Sequence, residues 1–507
     1  MKHRWVNLPA SIFGKHPWKQ KTLIGVPDMD RSWKWAVLIT VIGLVLRLYQ
    51  LGTESLWIDE GFSIQYARDF DFSRIQDVRP LYFAFLHFWM YLGHSEFFLR
   101  LPAALFGACA VPVMYLFGKR IVSERAGLAA SALLAVSPFQ IDHSQEIRMY
   151  SLVTLLTLLA MYQFCLFLLR RKTKHLAWYI LLTMLDIATF PSTVFLLVVQ
   201  NMAAFVYLKR REFCWWSGAQ LATCVVCAPM LIHTLRSARG LSPELQGSLS
   251  MLGIVELMGR FTLFSNGLPG SLSWFLFFTY TFAVLGLIVF GLLQAKKLRG
   301  EQLDRHIFLV LWLLIPLTLT AEAVRLTGAQ WLSRYLIYVS PAFYLLLGSA
   351  VDLLPRRTLK FIGMAAILLY PMVKLDFYYT QTTRPQWREA VRYVERNAKS
   401  EDVIALYRPG NGDVFRYYYH GNMPWCEIGW PKLQKKRPWT ERRAVKVIGE
   451  IPTRHDRVWL LMSMHEPEGA IAIERYIRGN YTVLDRRSFE QIEMILFRWP
   501  ISPPSGS

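Results

Sequence analysis

Long apolar stretches separated by short polar segments fill most of the first 380 residues of the chain. A membrane-spanning helix needs about 20 mostly apolar residues, and the pattern predicts eleven such spans. They begin near residues 35, 100, 126, 150, 176, 192, 215, 273, 306, 332 and 358. The hydrophobic pattern therefore predicts a polytopic α-helical membrane protein, with a transmembrane region over residues 35–378.

Two apolar segments near the start of the chain need separate interpretation. The first, from Trp35 to Leu51, follows a long basic segment and lacks a small-residue cleavage site, so we expect a retained anchor behind a cytoplasmic N-terminus, residues 1–34. The second, "LYFAFLHFWMYL" over residues 81–92, is apolar but short for a span. We expect it to form a helix in the outer membrane interface, where aromatic side chains are favoured.

The pattern changes after about residue 380, where short apolar runs alternate with polar segments. The segments "RPQWREAVRYVERNA" and "EGAIAIERYIRGN" have apolar residues at helical spacing, whereas "DVIALY", "RVWLLM", "YTVLDRRSF" and "IEMILF" are typical of strands. Helices between strands favour a small α/β domain. We place it at residues 379–507.

Composition and charge decide how the spans are oriented. The chain is 53% hydrophobic and 18% charged, and its formal net charge is +21. Its Lys and Arg residues stand in short clusters beside the apolar runs, as in membrane proteins whose cytoplasmic loops are basic, rather than on one nucleic-acid-binding surface. If all eleven spans are accepted, these clusters fall on one side, which is then cytoplasmic: Lys119-Arg120 with Arg125, Arg170-Arg171-Lys172 with Lys174, Lys209-Arg210-Arg211, Lys296-Lys297 with Arg299, and Arg356-Arg357 with Lys360.

The opposite side then contains the loops 52–99, 142–149, the segment around Pro191, 236–272 and 324–331, together with the α/β domain. The six cysteines are too scattered for a disulfide scaffold, and the CxxC of Cys224 and Cys227 lies among apolar residues without a second pair. We therefore expect Cys224 and Cys227 to have a packing role and assign the cysteines no redox or zinc role.

Charged residues recur in the predicted outer loops, at the membrane boundary, where charge is costly unless it is paired or solvated. Asp59 and Glu60 follow the first span in "LWIDEGFS", Glu146 and Arg148 lie in "HSQEIRMY", and further residues are Arg79 and Arg334. Structural explanations stand beside a functional one for each: a solvated loop for the acids, a mutual salt bridge of Glu146 with Arg148, an exposed turn for Arg79, and a side chain reaching the headgroups for Arg334. Their occurrence together on one face favours a site.

The order of these motifs resembles a known family. "LWIDEGFS", "RPLYFAFLHFWMYLG" with "EFFLRLPAALFG", "SPFQIDHSQEIRMYSL", "SRYLIYVSPAF" and "QWREAVRYVERNAKSEDVIAL" follow one another as in bacterial membrane glycosyltransferases of the C-type (GT-C) fold. The chain is similar to the protein mannosyltransferase-like group that includes the aminoarabinose transferases of lipid A. Many relatives have His-Pro-Pro-Leu where this chain has Val78-Arg79-Pro80-Leu81, which suggests that Arg79 contacts an anion.

The resemblance implies an enzyme in the bacterial cytoplasmic membrane, about 11–13 transmembrane helices, and an active site and C-terminal domain on the periplasmic side. It implies a polyprenyl (undecaprenyl or decaprenyl) phosphate-linked sugar as donor, a hydroxyl on a protein, glycan or lipid as acceptor, and inversion at the anomeric carbon. A carboxylate must take the proton of the attacking hydroxyl, and Asp59 is the candidate base. Guanidinium groups best stabilise the departing phosphate.

Arg79, Arg148 and Arg334 are the candidate phosphate ligands, with Tyr82 and Tyr335 as hydroxyl donors. Glu60 and Glu146 are expected to orient these arginines, to bind sugar hydroxyls, or to hold a divalent cation together with Asp59. Metal dependence is left open, and no cofactor is required by the sequence.

The loop 236–272, with Arg236, Arg239 and "FSNGLPG", is interpreted either as a lid over the donor or as a tether. The sequence contains no nucleotide-binding motif. Two other functions remain open, a transporter or flippase of lipid-linked substrates and an O-antigen-type polymerase or ligase. A transporter should place its charges near the midplane and repeat its halves, and neither feature is evident.

Overall fold

The computed structural model describes residues 31–71, 79–238, 251–263, 271–295, 301–327, 332–382, 384–408, 410–429, 440–452, 455–463 and 467–499. The basic segment before residue 31 lies outside the described residues, so its cytoplasmic placement stays a prediction. The described chain divides into two compact units. The first contains residues up to Tyr49, Asp71–Phe85 and Arg100–Thr380, and the second contains Gln50–Phe70, Leu86–Leu99 and the chain from Gln381 onward.

Helices dominate the described chain. They are α1 (Arg31–Leu48), α2 (Ile58–Arg68), α3 (Pro80–Met90), α4 (Glu96–Ile121), α5 (Glu124–Val136), α6 (Pro138–Asp142), α7 (Tyr150–Arg170), α8 (Thr173–Thr189), α9 (Leu196–Tyr207), α10 (Arg210–Ala238), α11 (Met251–Thr262), α12 (Ser271–Ala295), α13 (Glu301–Thr327), α14 (Ser340–Asp352), α15 (Arg357–Thr380), α16 (Trp387–Asn397), α17 (Asn411–Tyr418), α18 (Glu441–Ile448) and α19 (Pro467–Asn480). Short 3₁₀ helices occupy Pro191–Phe195 and Ser333–Val339. The strands are β1 (Val403–Tyr407), β2 (Trp425–Ile428), β3 (Arg457–Ser463), β4 (Thr482–Phe489) and β5 (Ile492–Arg498).

Seven helices in the described part of the chain are long and apolar enough to cross a membrane: Glu96–Ile121, Tyr150–Arg170, Arg210–Arg236, Trp274–Ala295, Gln302–Thr327, Ser333–Asp352 and Arg357–Thr380. Each coincides with a predicted span, which confirms the polytopic α-helical architecture. The other four predicted spans are also helical, but have 18 residues or fewer: α1, α5, α8 and the segment Pro191–Tyr207.

Prolines explain why two of these helices are short. The helix α5 ends before Pro138 and α8 ends before Pro191, because a proline cannot donate a backbone hydrogen bond within a continuing helix and restricts the residue before it. The helix α3 has 11 residues, about 16 Å at 1.5 Å per residue, which is too short to cross the hydrocarbon core.

Small residues bring helices of the first unit close together. A Cβ added to Gly118 would lie 2.6 Å from the Cα of Gly127, and one added to Gly348 would lie 2.6 Å from the carbonyl oxygen of Ala126. Such contacts let helix backbones approach without intervening side chains. They fix α4 against α5, and α5 against α14.

The second unit contains a five-stranded sheet in the order β2-β1-β3-β5-β4. The strand β1 pairs in parallel with β2 and β3, whereas β5 runs antiparallel to β3 and β4. Every strand and both helices predicted after residue 380 are present, and β1 is buried along its whole length. The sequence did not predict α17, β2 or α18. Four-residue β2 is only partly buried, so no hydrophobic alternation marks it.

Segments from the predicted outer loop 52–99 pack into this second unit. The backbone N–H of Leu56 donates to the hydroxyl of Tyr418 at 2.7 Å. Arg388 donates through Nη1 to the carbonyl oxygen of Thr53 at 3.0 Å and forms an ion pair with Glu96. The sequence predicted a loop for these residues. In the structure, α2 and the chain around residue 96 belong to the same compact unit as the α/β sheet.

Candidate active site

The acids Asp59 and Glu60 lie in the first turn of α2 and have different surroundings. The helix dipole favours negative charge at this end. Glu60 is fully buried, and its Oε2 lies 3.0 Å from Nη1 of Arg384 and accepts the backbone N–H of Trp57 at 3.3 Å. Asp59 is half-buried. The two neighbours therefore separate into a buried ion-pair partner and a more accessible carboxylate.

The loop from His143 to Tyr150, which contains Glu146 and Arg148, is anchored from the first helix. Arg47, which is fully buried in α1, donates through Nε to Oγ of Ser144 at 3.1 Å. Its Nη1 and Nη2 donate to the carbonyl oxygens of Gly43, Ala135 and Leu134 at 2.9–3.0 Å. This arginine thus fastens the start of the loop to α1 and α5.

Gln145, the first residue of the Gln-Glu-x-Arg-x-Tyr motif, also has a structural position. Its amide nitrogen donates to the carbonyl oxygens of Arg47 at 3.0 Å and Tyr49 at 2.7 Å, and its amide oxygen accepts the hydroxyl of Tyr378 at 2.9 Å. The last carbonyls of a helix lack internal partners, and Gln145 satisfies those at the end of α1.

Glu146 is buried and pairs with a histidine that the sequence argument did not select. Oε1 of Glu146 lies 2.7 Å from Nδ1 of His143, which is also buried. The ring of His143 lies 5.0 Å from the ring of Tyr150, measured between centroids. The sequence signal for this pair is the three-residue spacing between the His and the Glu of "HSQE".

The three candidate arginines lie around one set of aromatic rings, all within the first unit. The ring of Phe190 is 6.1 Å from that of Tyr150 and 6.3 Å from that of Tyr335, between centroids. The guanidinium carbon lies 5.8 Å from the Phe190 centroid for Arg79, 5.8 Å from the Tyr150 centroid for Arg148, and 6.0 Å from the Tyr335 centroid for Arg334. We call these six residues the arginine–aromatic cluster.

The cluster is assembled from four separate parts of the chain. Arg79 precedes α3, Arg148 and Tyr150 lie at the start of α7, Phe190 joins α8 to the following 3₁₀ helix, and Arg334 with Tyr335 lies in the 3₁₀ helix before α14. Ring faces attract guanidinium groups, and each of the three neighbouring rings carries one arginine. An anion with several oxygens is the natural ligand for such an arrangement.

Two further features of the cluster are typical of binding sites. Arg79 has φ = +67°, in the left-handed region that a non-glycine residue rarely adopts, and such strain concentrates at functional sites. The hydroxyl of Tyr150 is buried and has no hydrogen-bond partner among the described residues. A ligand oxygen would satisfy it. Tyr82, one turn into α3, is buried at 5% exposure, and its ring lies 5.6 Å from that of Phe83, between centroids.

The structure places the predicted site residues in two groups. Arg79, Tyr82, Glu146, Arg148, Arg334 and Tyr335 lie in the first unit, and Asp59 and Glu60 lie in the second. Phe190, Tyr150 and His143 are additions that tertiary contacts identify. Phe190 stands directly before Pro191 in a predicted outer turn, which was the only local signal for it.

The described residues contain no group of three His, Cys, Asp or Glu side chains arranged to hold a metal ion. A divalent cation bound by Asp59, Glu60 and Glu146 therefore stays a prediction. The loop 236–272 contains the helix α11, and Arg236 is exposed near the end of α10. Arg239 and the "FSNGLPG" segment lie outside the described residues.

Comparison with known proteins supports the resemblance seen in the sequence. A family model for dolichyl-phosphate-mannose-protein mannosyltransferase matches residues 77–233. No curated protein sequence matches the chain significantly.

Several solved structures share the architecture at low sequence identity. ArnT from Cupriavidus metallidurans, in the apo state, has a TM-score of 0.53 and 15% identity, covering 93% of this chain and 99% of its own. The oligosaccharyltransferase AglB from Archaeoglobus fulgidus, in complex with an inhibitory peptide and a dolichol-phosphate, has a TM-score of 0.54 and 12% identity, with coverages of 92% and 74%. The arabinofuranosyltransferase AftD from Mycobacteria has a TM-score of 0.52 and 13% identity, with coverages of 92% and 40%. The chain thus has the C-type fold of membrane glycosyltransferases, with a small α/β sheet after its transmembrane helices.

Proposed function

We propose that this protein is an integral membrane glycosyltransferase that takes a sugar from a polyprenyl phosphate and transfers it to a hydroxyl acceptor. The observation that carries the proposal is the arginine–aromatic cluster, in which the neighbouring rings of Tyr150, Phe190 and Tyr335 each contact one guanidinium group. The matched family model and two of the solved relatives agree with this chemistry, since they are named as a mannosyltransferase, an oligosaccharyltransferase and an arabinofuranosyltransferase.

The cluster suits a lipid phosphate as leaving group. As the bond between sugar and phosphate breaks, negative charge grows on the phosphate oxygens, and donors already in position stabilise that charge without reorganising. Arg79, Arg148 and Arg334 supply planar paired donors, which match phosphate geometry better than a lysine does. The hydroxyls of Tyr82, Tyr150 and Tyr335 supply further donors.

Asp59 is the proposed general base. A hydroxyl acceptor must lose its proton as the new glycosidic bond forms, and a carboxylate can receive it. Glu60 already accepts the guanidinium of Arg384 in a buried pair, so Asp59 is the better candidate of the two. Direct attack by the acceptor on the anomeric carbon would proceed with inversion.

We propose that Glu146 contributes to the reaction indirectly, by positioning a neighbouring loop. Its pairing with His143 fixes the loop that carries Arg148, and the pair is close enough to the cluster for His143 to contact the ring of Tyr150.

We propose the outer, periplasmic face of the bacterial cytoplasmic membrane as the location of transfer. The acceptor class is a protein, glycan or lipid hydroxyl.

Donor binding provides the direct test. We expect Arg148→Ala and Arg334→Ala each to weaken the retention of polyprenyl phosphate on the purified protein, measured by native mass spectrometry. The matched control is Arg211→Ala, which removes an arginine that lies 5.3 Å from the ring centroid of Trp215, outside the cluster. Donor retention equal to that of the unmodified protein in both cluster variants would refute the phosphate-binding role. Mass spectrometry of co-purified lipid would also identify the sugar.

A further inference from the structure

A charged cavity lies in the first unit, away from the arginine–aromatic cluster. It is an open cleft of about 630 Å³ between the start of α5, the end of α14 and the start of α15. Three cationic side chains line it, those of Arg125, Arg357 and Lys360, together with the carboxylate of Asp352. The apolar residue Phe361 forms part of the same wall. We call these five residues the basic cleft.

The basic cleft and the cluster lie at opposite ends of one helix pair. The helices α5 and α14 run antiparallel, because Gly348, near the end of α14, contacts Ala126, near the start of α5. At the other end, Nε2 of Gln140 donates to Oγ of Ser340 at 2.9 Å. The 13 residues of α14 span about 20 Å at 1.5 Å per residue. The cleft therefore opens towards the membrane face opposite the cluster.

The charges of the cleft leave a positive excess. Asp352 is engaged through Oδ1, 3.2 Å from Nζ of Lys360 and 3.8 Å from Nη1 of Arg125. Its Oδ2 accepts the hydroxyl of Ser123 at 2.7 Å. One carboxylate faces three cations, and the side chain of Arg125 is 76% exposed. An anion entering the cleft would therefore meet cations still accessible to it.

The apolar wall of the cleft is exposed. Only 22% of the hydrophobic window of α15 is buried within the protein, and Phe361, one turn into that helix, is 75% exposed. In a membrane such a face contacts acyl chains. A ligand of the cleft would thus have an anionic headgroup beside the cations and a hydrocarbon tail along α15.

We propose that the basic cleft binds an anionic phospholipid from the leaflet opposite the active site. Lys and Arg clusters next to the membrane attract anionic lipid, and basic pockets between transmembrane helices bind phosphate headgroups. The two basic clusters involved, around residues 119–125 and 356–360, lie on the side that the charge distribution assigns to the cytoplasm. Bound lipid would stabilise the α5–α14 pair, since a ligand that binds only the folded state opposes unfolding.

The test compares phosphatidylglycerol with phosphatidylcholine on the purified full-length protein. We expect native mass spectrometry to show several-fold stronger retention of phosphatidylglycerol, and phosphatidylglycerol to raise the thermal denaturation temperature more than phosphatidylcholine does. The double variant Arg125→Gln/Arg357→Gln should lose both differences, whereas Asp352 keeps its contacts with Lys360 and Ser123. The matched control is Arg211→Gln, which removes an exposed arginine beside Trp215 on α10, outside the basic cleft, and should retain both.

Three results would overturn the proposal. One is equal retention of the two lipids by the unmodified protein, and another is unchanged lipid preference in the double variant. The third is full displacement of the lipid by inorganic phosphate, which would assign the cleft to a free anion. If the double variant fails to fold, Arg357→Gln alone, at an exposed position, should still reduce the preference.

Discussion

The guanidinium of Arg384 lies 3.0 Å from the carboxylate of Glu60, and both side chains are buried within the second unit. The two residues are 324 positions apart in the chain. Their pairing joins the first turn of α2 to the segment just after the last transmembrane helix. The pairing also gives Glu60 a different chemical role from Asp59. A buried carboxylate that balances an arginine cannot be neutralised without leaving a buried charge less well compensated.

Glu60→Gln should destabilise the second unit. The variant deprives Arg384 of its closer, fully buried carboxylate; breaking a buried ion pair typically costs about 3–5 kcal/mol, and the more distant Glu54 reduces that cost here. We expect a clear drop in the thermal denaturation temperature of the full-length protein. The matched control is Glu54→Gln, because Glu54 also contacts Arg384 but at the longer distance of 3.6 Å and with 25% of its side chain exposed, so its removal should cost less. Equal denaturation temperatures for the two variants would contradict this assignment.

Asp59→Asn should abolish transfer while the protein stays folded and retains its donor. General-base catalysis contributes about 10²- to 10⁴-fold in rate, and an amide cannot accept the proton. The measurement is the rate of sugar transfer by the purified enzyme at saturating donor. Asp69→Asn, which changes the exposed acid just after α2, should leave that rate unaltered. Appreciable turnover by Asp59→Asn would eliminate Asp59 as the base.

Phe190→Leu should weaken donor binding without altering any charge. The central ring of the cluster supports Arg79 and contacts both neighbouring rings, and a cation–π contact is worth about 0.5–2 kcal/mol, or roughly 2- to 30-fold in affinity. The donor dissociation constant reports this effect. Phe205→Leu is the comparison, because Phe205 is 76% exposed on α9. If both variants bound donor as tightly as the unmodified protein, the aromatic surface would have no part in holding the arginines.

We expect ionisation of the Asp413 carboxyl group to lower the stability of the second unit as the pH rises. Burial, together with the nearby negative charge of Glu427, raises the pKa of Asp413 above its ordinary value. The folded state therefore binds the proton more tightly than the unfolded state, so stability is highest below the unfolded pKa and declines as the pH rises through the folded pKa.

Asp413→Asn removes this titration. The variant should denature at a higher temperature than the unmodified protein near neutral pH, and the difference should vanish below about pH 3, where an ordinary aspartate is protonated. Asp456→Asn, which replaces an exposed aspartate of the same unit, is the matched control. A gap between Asp413→Asn and the unmodified protein that is constant across pH would contradict the mechanism.

The sequence by itself determined the membrane helices and four of the five C-terminal strands. Both depend on local patterns, since about 20 apolar residues suffice to mark a span and a buried run with turn signals suffices to mark β1 or β3. The ordered motifs around Asp59, Arg148 and Arg334 likewise identified the glycosyltransferase resemblance without any knowledge of contacts.

Only the tertiary structure decided which polar residues meet. The pairing of Glu60 with Arg384, the anchoring of Ser144 by Arg47, and the position of Phe190 among three arginines each join residues that lie far apart in sequence. No periodicity encodes such contacts, because they depend on how helices pack through small residues such as Gly127 and on where prolines end them. Hydrophobicity acts locally and can be recognised from the chain alone, whereas the partner of a buried charge is fixed only when the whole fold forms.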